Sequence, residues 1–240
     1  MKISRFYTVS FVLILYTSAI PMYGQARVTV RQNGPNTELY FNTTVKAPTY
    51  DEVIGSPYLY EDFVPARVNE IEVTHFIRFN VFDNSIEYKN EAGEIYSMVK
   101  PNDYNIELLD GSNKVYETHD YNDDKKEVGN TFFEKILTNG DYGLYHREII
   151  EYTPVKMAKN SFETNRPAKF INTKGTFYFV DYDTEGQVLI KLPNREKHLL
   201  KLFNEHAAEV KEILKKEGLH IDREKDLIRI LDFYFTLKSS

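Results

Sequence analysis

The chain has 240 residues, a net charge of −6 at neutral pH and no cysteine. The absence of thiols excludes disulfides, zinc ribbons, thiol nucleophiles and lipid attachment at a cysteine, so burial must hold the fold together. Thirty Lys and Arg are outnumbered by 36 Asp and Glu and lie scattered along the chain, which argues against a nucleic-acid partner.

The first residues, MKISRFYTVSFVLILYTSAIPMYGQ, read as a signal peptide over residues 1–24. Lys2 and Arg5 open it, an apolar run follows from Phe6 to Ile20, and Pro21 and Gly24 mark its end. The run of about 15 residues is short of the roughly 20 that a spanning helix needs. Cleavage after Gly24 would leave about 216 residues of net charge −8, with no later stretch apolar enough to span a bilayer. Export to the periplasm, the outer surface or the medium is the expectation.

Residues 25–67 hold a leading strand, TELYFNTTVK, and an aromatic, acidic loop, APTYDEVIGSPYLYEDFVPARV. Its prolines keep the loop extended, and Tyr50, Tyr58, Tyr60 and Phe63 would tie it to the body of the domain. Residues 68–192 alternate with period two, the mark of strands. In IEVTHFIRFNV the apolar positions Ile71, Val73, Ile77, Phe79 and Val81 share a face with His75, expected to be a hydrogen-bonded core histidine. Turns at Asn90–Gly93, Asp110-Gly111, Asn139-Gly140 and Asp183–Gly186 predict successive hairpins. Asp120 to Glu127 reads as a solvated hairpin loop, and TPVKMAKNSFETNRPAKF as a long connection.

Over residues 193–240 the period becomes 3.6. Asn194 is expected to cap a helix whose apolar face runs from Leu199 to Leu214, Gly218 to end it, and Asp222 to cap a second one. The expected fold is α+β: an antiparallel, twisted sheet or partly closed barrel of about eight strands, with two C-terminal helices packed on it. Residues 25–240 would form one composite domain.

Asp181-x-Asp183-x-Glu185-Gly186 matches the first half of a calcium-binding EF-hand loop. Its twelfth position is Leu192, which cannot coordinate, and its flanks favour strands, so the stretch reads as a hairpin tip. The six histidines show no metal-binding spacing; His146-Arg147-Glu148 is strand alternation, and His198 and His206 lie two helical turns apart. The reading therefore expects no metal and no cofactor. No Gly-x-Ser-x-Gly elbow occurs, Ser56 reads as a turn serine, and no glycine-rich phosphate cradle or dinucleotide fingerprint is present. Adjacent acids at Asp51/Glu52, Glu61/Asp62 and Asp123/Asp124 keep glycoside chemistry open.

Gly55-Ser56-Pro57-Tyr58-Leu59, Arg78-Phe79-Asn80 and Asp226-Leu227-Ile228, with Tyr234 in the aromatic ending, carry a resemblance. Over residues 54–237 the chain resembles a family of exported envelope proteins of Bacteroidota-type bacteria with no assigned activity. Phe235 departs from the polar residue of that family's ending. The resemblance implies an envelope location and supplies no catalytic residues. The sequence reading is thus an exported, non-enzymatic protein binding a partner protein or surface polymer, with Tyr58, Tyr60, Glu61, Asp62 and Phe63 as contact residues. A carboxylate-dependent hydrolase of glycans or peptides is the alternative.

Overall fold

The computed structural model describes residues 28–239, except 34–35, 42–44, 47–49, 51–52, 70, 91, 99–102, 124–125 and 161. The leader assigned to residues 1–24 lies outside the described residues. β1 (Val28–Asn33) and β2 (Asn36–Phe41) form a hairpin of their own. The main sheet is built from β3 (Val45–Lys46), β4 (Val64–Val68), β5 (Thr74–Asn80), β6 (Ser85–Lys89), β7 (Ile95–Ser97), β8 (Asn105–Leu108), β9 (Val115–Asp123), β10 (Lys126–Thr138) and β11 (Tyr142–Arg147). β12 (Ile150–Thr153) and β13 (Lys169–Asn172) make a second small hairpin, and β14 (Thr176–Asp181) and β15 (Leu189–Lys191) complete the sheet.

The eleven-stranded order is β10-β11-β14-β15-β9-β8-β4-β5-β6-β7-β3, and β9 pairs with β10 as well. That extra pairing closes β9, β10, β11, β14 and β15 into a five-stranded barrel, from which the remaining six strands extend as an open sheet. The long strand β9 makes this possible. Its first half pairs with β8, and Tyr121 and Asn122 in its second half pair with β15, in the sheet's one parallel contact among the described residues. A barrel this narrow is filled by side chains, here Tyr121, Phe133, Tyr145, Tyr178, Val180 and Leu189.

The four turns expected from the sequence join β6 to β7, β8 to β9, β10 to β11 and β14 to β15. Each holds a glycine at positive φ: Gly93, Gly111, Gly140 and Gly186. The stretch 120–127 differs from expectation: β9 runs to Asp123 and β10 resumes at Lys126, so most of it is paired strand. The strand count also exceeds eight, because the stretch read as one leading strand holds both β2 and β3, and the stretch read as a long connection runs into β13.

At the C-terminus stand three helices: α1 (Glu196–Leu202), α2 (Ala207–Glu217) and α3 (Glu224–Lys238), with a 3-10 turn at Asn204–His206 between the first two. The single helix expected from Asn194 to Glu217 breaks where Asn204 takes positive φ. Arg195 and Arg223, not Asn194 and Asp222, occupy the N-cap positions, and neither makes a side-chain cap bond. Gly218 ends α2 in the left-handed conformation as expected. A seven-residue helix is not stable alone. α1 persists because Leu199 and Phe203 are buried with Leu144, Phe179, Leu227 and Phe235 against the barrel's outer face, each contributing about 1.5–3 kcal/mol. No helix among the described residues is long and apolar enough to cross a membrane.

Candidate functional site

The segment around Tyr58 lies across β5 and β6, where Leu59 N bonds Phe79 O and Val81 N bonds Pro57 O. Its five candidate contact residues divide into two groups. Tyr58 and Phe63 turn toward the sheet and flank the Arg78 guanidinium, whose carbon is 3.6 Å from the Tyr58 ring centre and 4.6 Å from that of Phe63. Arg78 Nη2 donates to Glu87 Oε2 at 2.6 Å, and Glu87 is fully buried. Tyr58 OH and Asn80 Nδ2 donate more weakly to Glu87 Oε1, both at 3.4 Å. Burial first, then the Glu87 charge, push the Tyr58 phenol up to about 12. This is an internal clamp. Tyr60, Glu61 and Asp62 remain exposed, and the void beneath them, bordered by Ile77, Phe79 and Tyr116, holds about 10 Å3, no more than one water.

A second cluster arises where β9, β10 and β11 lie side by side. The register sets Tyr116 opposite Glu134 and Glu134 opposite His146. Directly opposed residues share a face, so the three form one row, and Glu148, two residues past His146, rejoins that face. One ligand atom from each of Glu134, His146 and Glu148 lies within 4.8 Å of the others. His146 Nδ1 is 3.7 Å from Glu148 Oε1, and Lys114 Nζ bonds Glu134 Oε2 at 3.0 Å. Burial works against the Lys114 ammonium, yet the Glu134 carboxylate outweighs it and holds the amine above its usual range. Tyr116 is 2% exposed and its hydroxyl has no hydrogen-bond partner. Burial drives that phenol far above its ordinary range, assisted by the charges of Glu134, Tyr60 and Glu148 in that order. Of the candidates from the sequence, Tyr60 and Asp62 border the same small void as Tyr116.

The His146 ring is fixed from two sides. Phe177 packs against it at a tilt, ring centres 4.7 Å apart, and Gly175 lies so close that a Cβ there would come within 3 Å of the ring. His146 also lines a groove of about 440 Å3 with Phe177, Leu192, Pro193 and Ile221. The sequence reading took His146-Arg147-Glu148 as alternation, and alternation it is. The neighbouring strand's register, which supplies Glu134, is what no local pattern carries.

On the barrel's inner face Glu117 accepts from Lys135 Nζ at 2.7 Å, lies 3.1 Å from His119 Nε2, and takes the Tyr145 hydroxyl at 3.1 Å. Burial alone would raise its pKa, but the His119 and Lys135 hydrogen bonds prevail and hold it down at about 2. With Asn105 Nδ2 also donating at 2.9 Å, this carboxylate is a fully engaged structural centre. His75, by contrast, is half-buried with Nε2 unpartnered, and burial lowers its pKa, so the expected hydrogen bond is not made at that atom.

The stretch read as a long connection is an arm. Beyond β12 and β13 its two limbs stay paired through Lys156 and Arg166, whose backbones exchange bonds of 2.8 and 2.9 Å. Its root is locked by Phe82, Tyr152 and Phe170, with ring centres 5.0–5.9 Å apart. Ile54 bonds backbone to backbone with Ala168 and Phe170. Gly55, at φ +86°, touches the Phe170 carbonyl, where a Cβ would sit 2.9 Å away. At the tip, Asn160 Oδ1 accepts from the Phe162 and Glu163 amides, and the Phe162 side chain is 97% exposed.

Asp181 and Asp183, the residues of the calcium-like motif, both accept from Lys238 Nζ, at 2.7 and 3.2 Å. An ammonium already occupies the space between them. No protein-family model, curated protein or solved structure matches the chain.

Proposed function

We propose that the protein is an exported, non-enzymatic binding protein that engages a partner protein through the β12–β13 arm. The observation that carries this reading is Phe162, an aromatic side chain held almost wholly in solvent by an ordered turn. Met157 and Val155 are exposed on the same arm. Residues 154–169 carry four basic side chains and one acidic on a chain of net charge −6. An apolar anchor ringed by basic charge suits a socket with an acidic rim. A sugar polymer would call instead for a broad aromatic platform. The leader over residues 1–24 supports export to the envelope, in keeping with the family resemblance.

Of the acids that left a hydrolase open, Asp51, Glu52 and Asp124 lie outside the described residues, and Glu61 and Asp62 stand exposed side by side on one loop, whereas glycoside chemistry places its acids on either side of the scissile bond. Glu134 and Glu148 likewise share one face of one sheet.

The test is a photo-reactive side chain at position 162, and separately at position 61, in the producing cell. A discrete adduct from 162 that disappears with Lys156→Glu/Lys159→Glu is the expected result. An adduct from 61 with none from 162 would return the contact to the loop and overturn the assignment to the arm.

A further inference from the structure

We propose that Glu134, His146 and Glu148 bind a divalent first-row transition-metal ion of the zinc type. The donor set is one imidazole nitrogen and two carboxylates, a mixture that suits Zn2+, Mn2+, Co2+ or Fe2+ better than Ca2+ or Mg2+, which prefer oxygen throughout. An ion about 2.0–2.2 Å from each donor requires donors roughly 3–3.5 Å apart. The three ligand atoms are already within 4.8 Å of one another, so side-chain rotation suffices to reach that spacing and the strands need not move.

The charges around the cluster fit the same conclusion. Two largely buried carboxylates stand side by side, and Lys114 bonds directly to Glu134. Glu148 has His146 as its nearest ionic partner, at a loose 3.7 Å. The independent sign is Tyr116, a residue opposite Glu134 in the register whose buried hydroxyl lacks any partner. A metal held by three protein ligands keeps a position for water, and such a water gives this hydroxyl the partner it lacks. A plain His146–Glu148 ion pair leaves it orphaned. Lys114 on Oε2 of Glu134, and Phe177 and Gly175 against the imidazole, act as the outer contacts that orient ligands.

Untagged protein stripped with chelator is titrated with Co2+ and with Zn2+, following the visible Co2+ bands and the heat of binding. One equivalent should bind, and Glu148→Gln and Glu134→Gln should each weaken binding about tenfold or more while far-UV circular dichroism stays unchanged. His198→Gln, on the exposed face of α1, should leave the titration as it is. Should His146→Asn fail to fold, Glu148→Gln, which keeps shape and removes charge, carries the test alone. The proposal is overturned if no saturable binding occurs below about 1 mM (a free energy near −4 kcal/mol). It is overturned equally if Glu148→Gln binds as wild type does, or if His198→Gln abolishes binding.

Discussion

The guanidinium of Arg78 is stacked 3.6 Å from the centre of the Tyr58 ring while its Nη2 holds the buried Glu87 carboxylate at 2.6 Å. The pair is almost dry: the side chains retain 15% and none of their exposure. Removing one partner from such a pair strands the other charge, a loss of about 3–5 kcal/mol. Glu87→Gln should therefore destabilise the protein by that amount in urea titrations, and Tyr58→Leu by only about 1–2 kcal/mol, the worth of a desolvated cation–π contact. A Glu87→Gln variant within 1 kcal/mol of wild type would contradict the clamp.

The position of Tyr58 illustrates what the sequence does and does not carry. Turns were legible because each needs glycine at positive φ, and Gly93, Gly111, Gly140 and Gly186 announce them locally. The helical ending was legible from its period, although Asn204 breaks it in the middle. An aromatic and acidic stretch can equally be a contact surface or a clamp. Which one it is depends on Arg78 and Glu87, residues of strands that the stretch itself does not encode. The Glu134–His146 pairing has the same character: it exists only through the β10–β11 register, across a bulge between Lys135 and Leu137. The arm was missed because its limbs pair through a single bridge, at Lys156 and Arg166, and so show no strand period.

Glu117 makes a pH prediction. Its folded pKa of about 2 lies below the ordinary 4.5. A depressed carboxylate contributes stability that is fully present above the unfolded value and is lost as pH falls through the folded one. The loss should thus run from about pH 4.5 down to about 2 and amount to about 3 kcal/mol. Unfolding free energies at pH 6 and pH 3 should differ less in Glu117→Gln than in wild type. Equal slopes would show that other carboxylates dominate the acid limb.

Calcium should leave the protein unmoved. Lys238 already bridges Asp181 and Asp183, so an ion would have to displace a charge that sits between its own ligands. Millimolar Ca2+ should shift the melting temperature by less than about 1 °C, since ligand stabilisation follows the ratio of concentration to Kd. A dose-dependent rise, lost in Asp181→Asn, would reinstate the site.

Gly175→Ala should perturb His146 selectively. The added Cβ would press on the imidazole and on the Arg147 carbonyl, and overpacking of this kind costs about 1–3 kcal/mol. Gly186, whose surroundings are open, provides the contrast: there alanine meets no atom and pays only for its positive φ. The informative measurement is the His146 imidazole chemical shift by NMR, which should move in Gly175→Ala and stay put in Gly186→Ala.

The arm should be separable from the stability of the body. Phe162 and Met157 are both exposed, so removing them returns no buried apolar surface to water. Below Lys156 and Arg166, the Phe82–Tyr152–Phe170 cluster and the Gly55 contact hold the root without help from the tip. Replacing residues 157–165 by Asn-Gly supplies a two-residue turn suited to a tight hairpin. The shortened protein should then melt within a few degrees of wild type, the change expected for about 1 kcal/mol or less in a chain of this size. If it unfolded instead, the tip would be part of the core architecture, and its exposed phenylalanine would need an explanation within the folded chain.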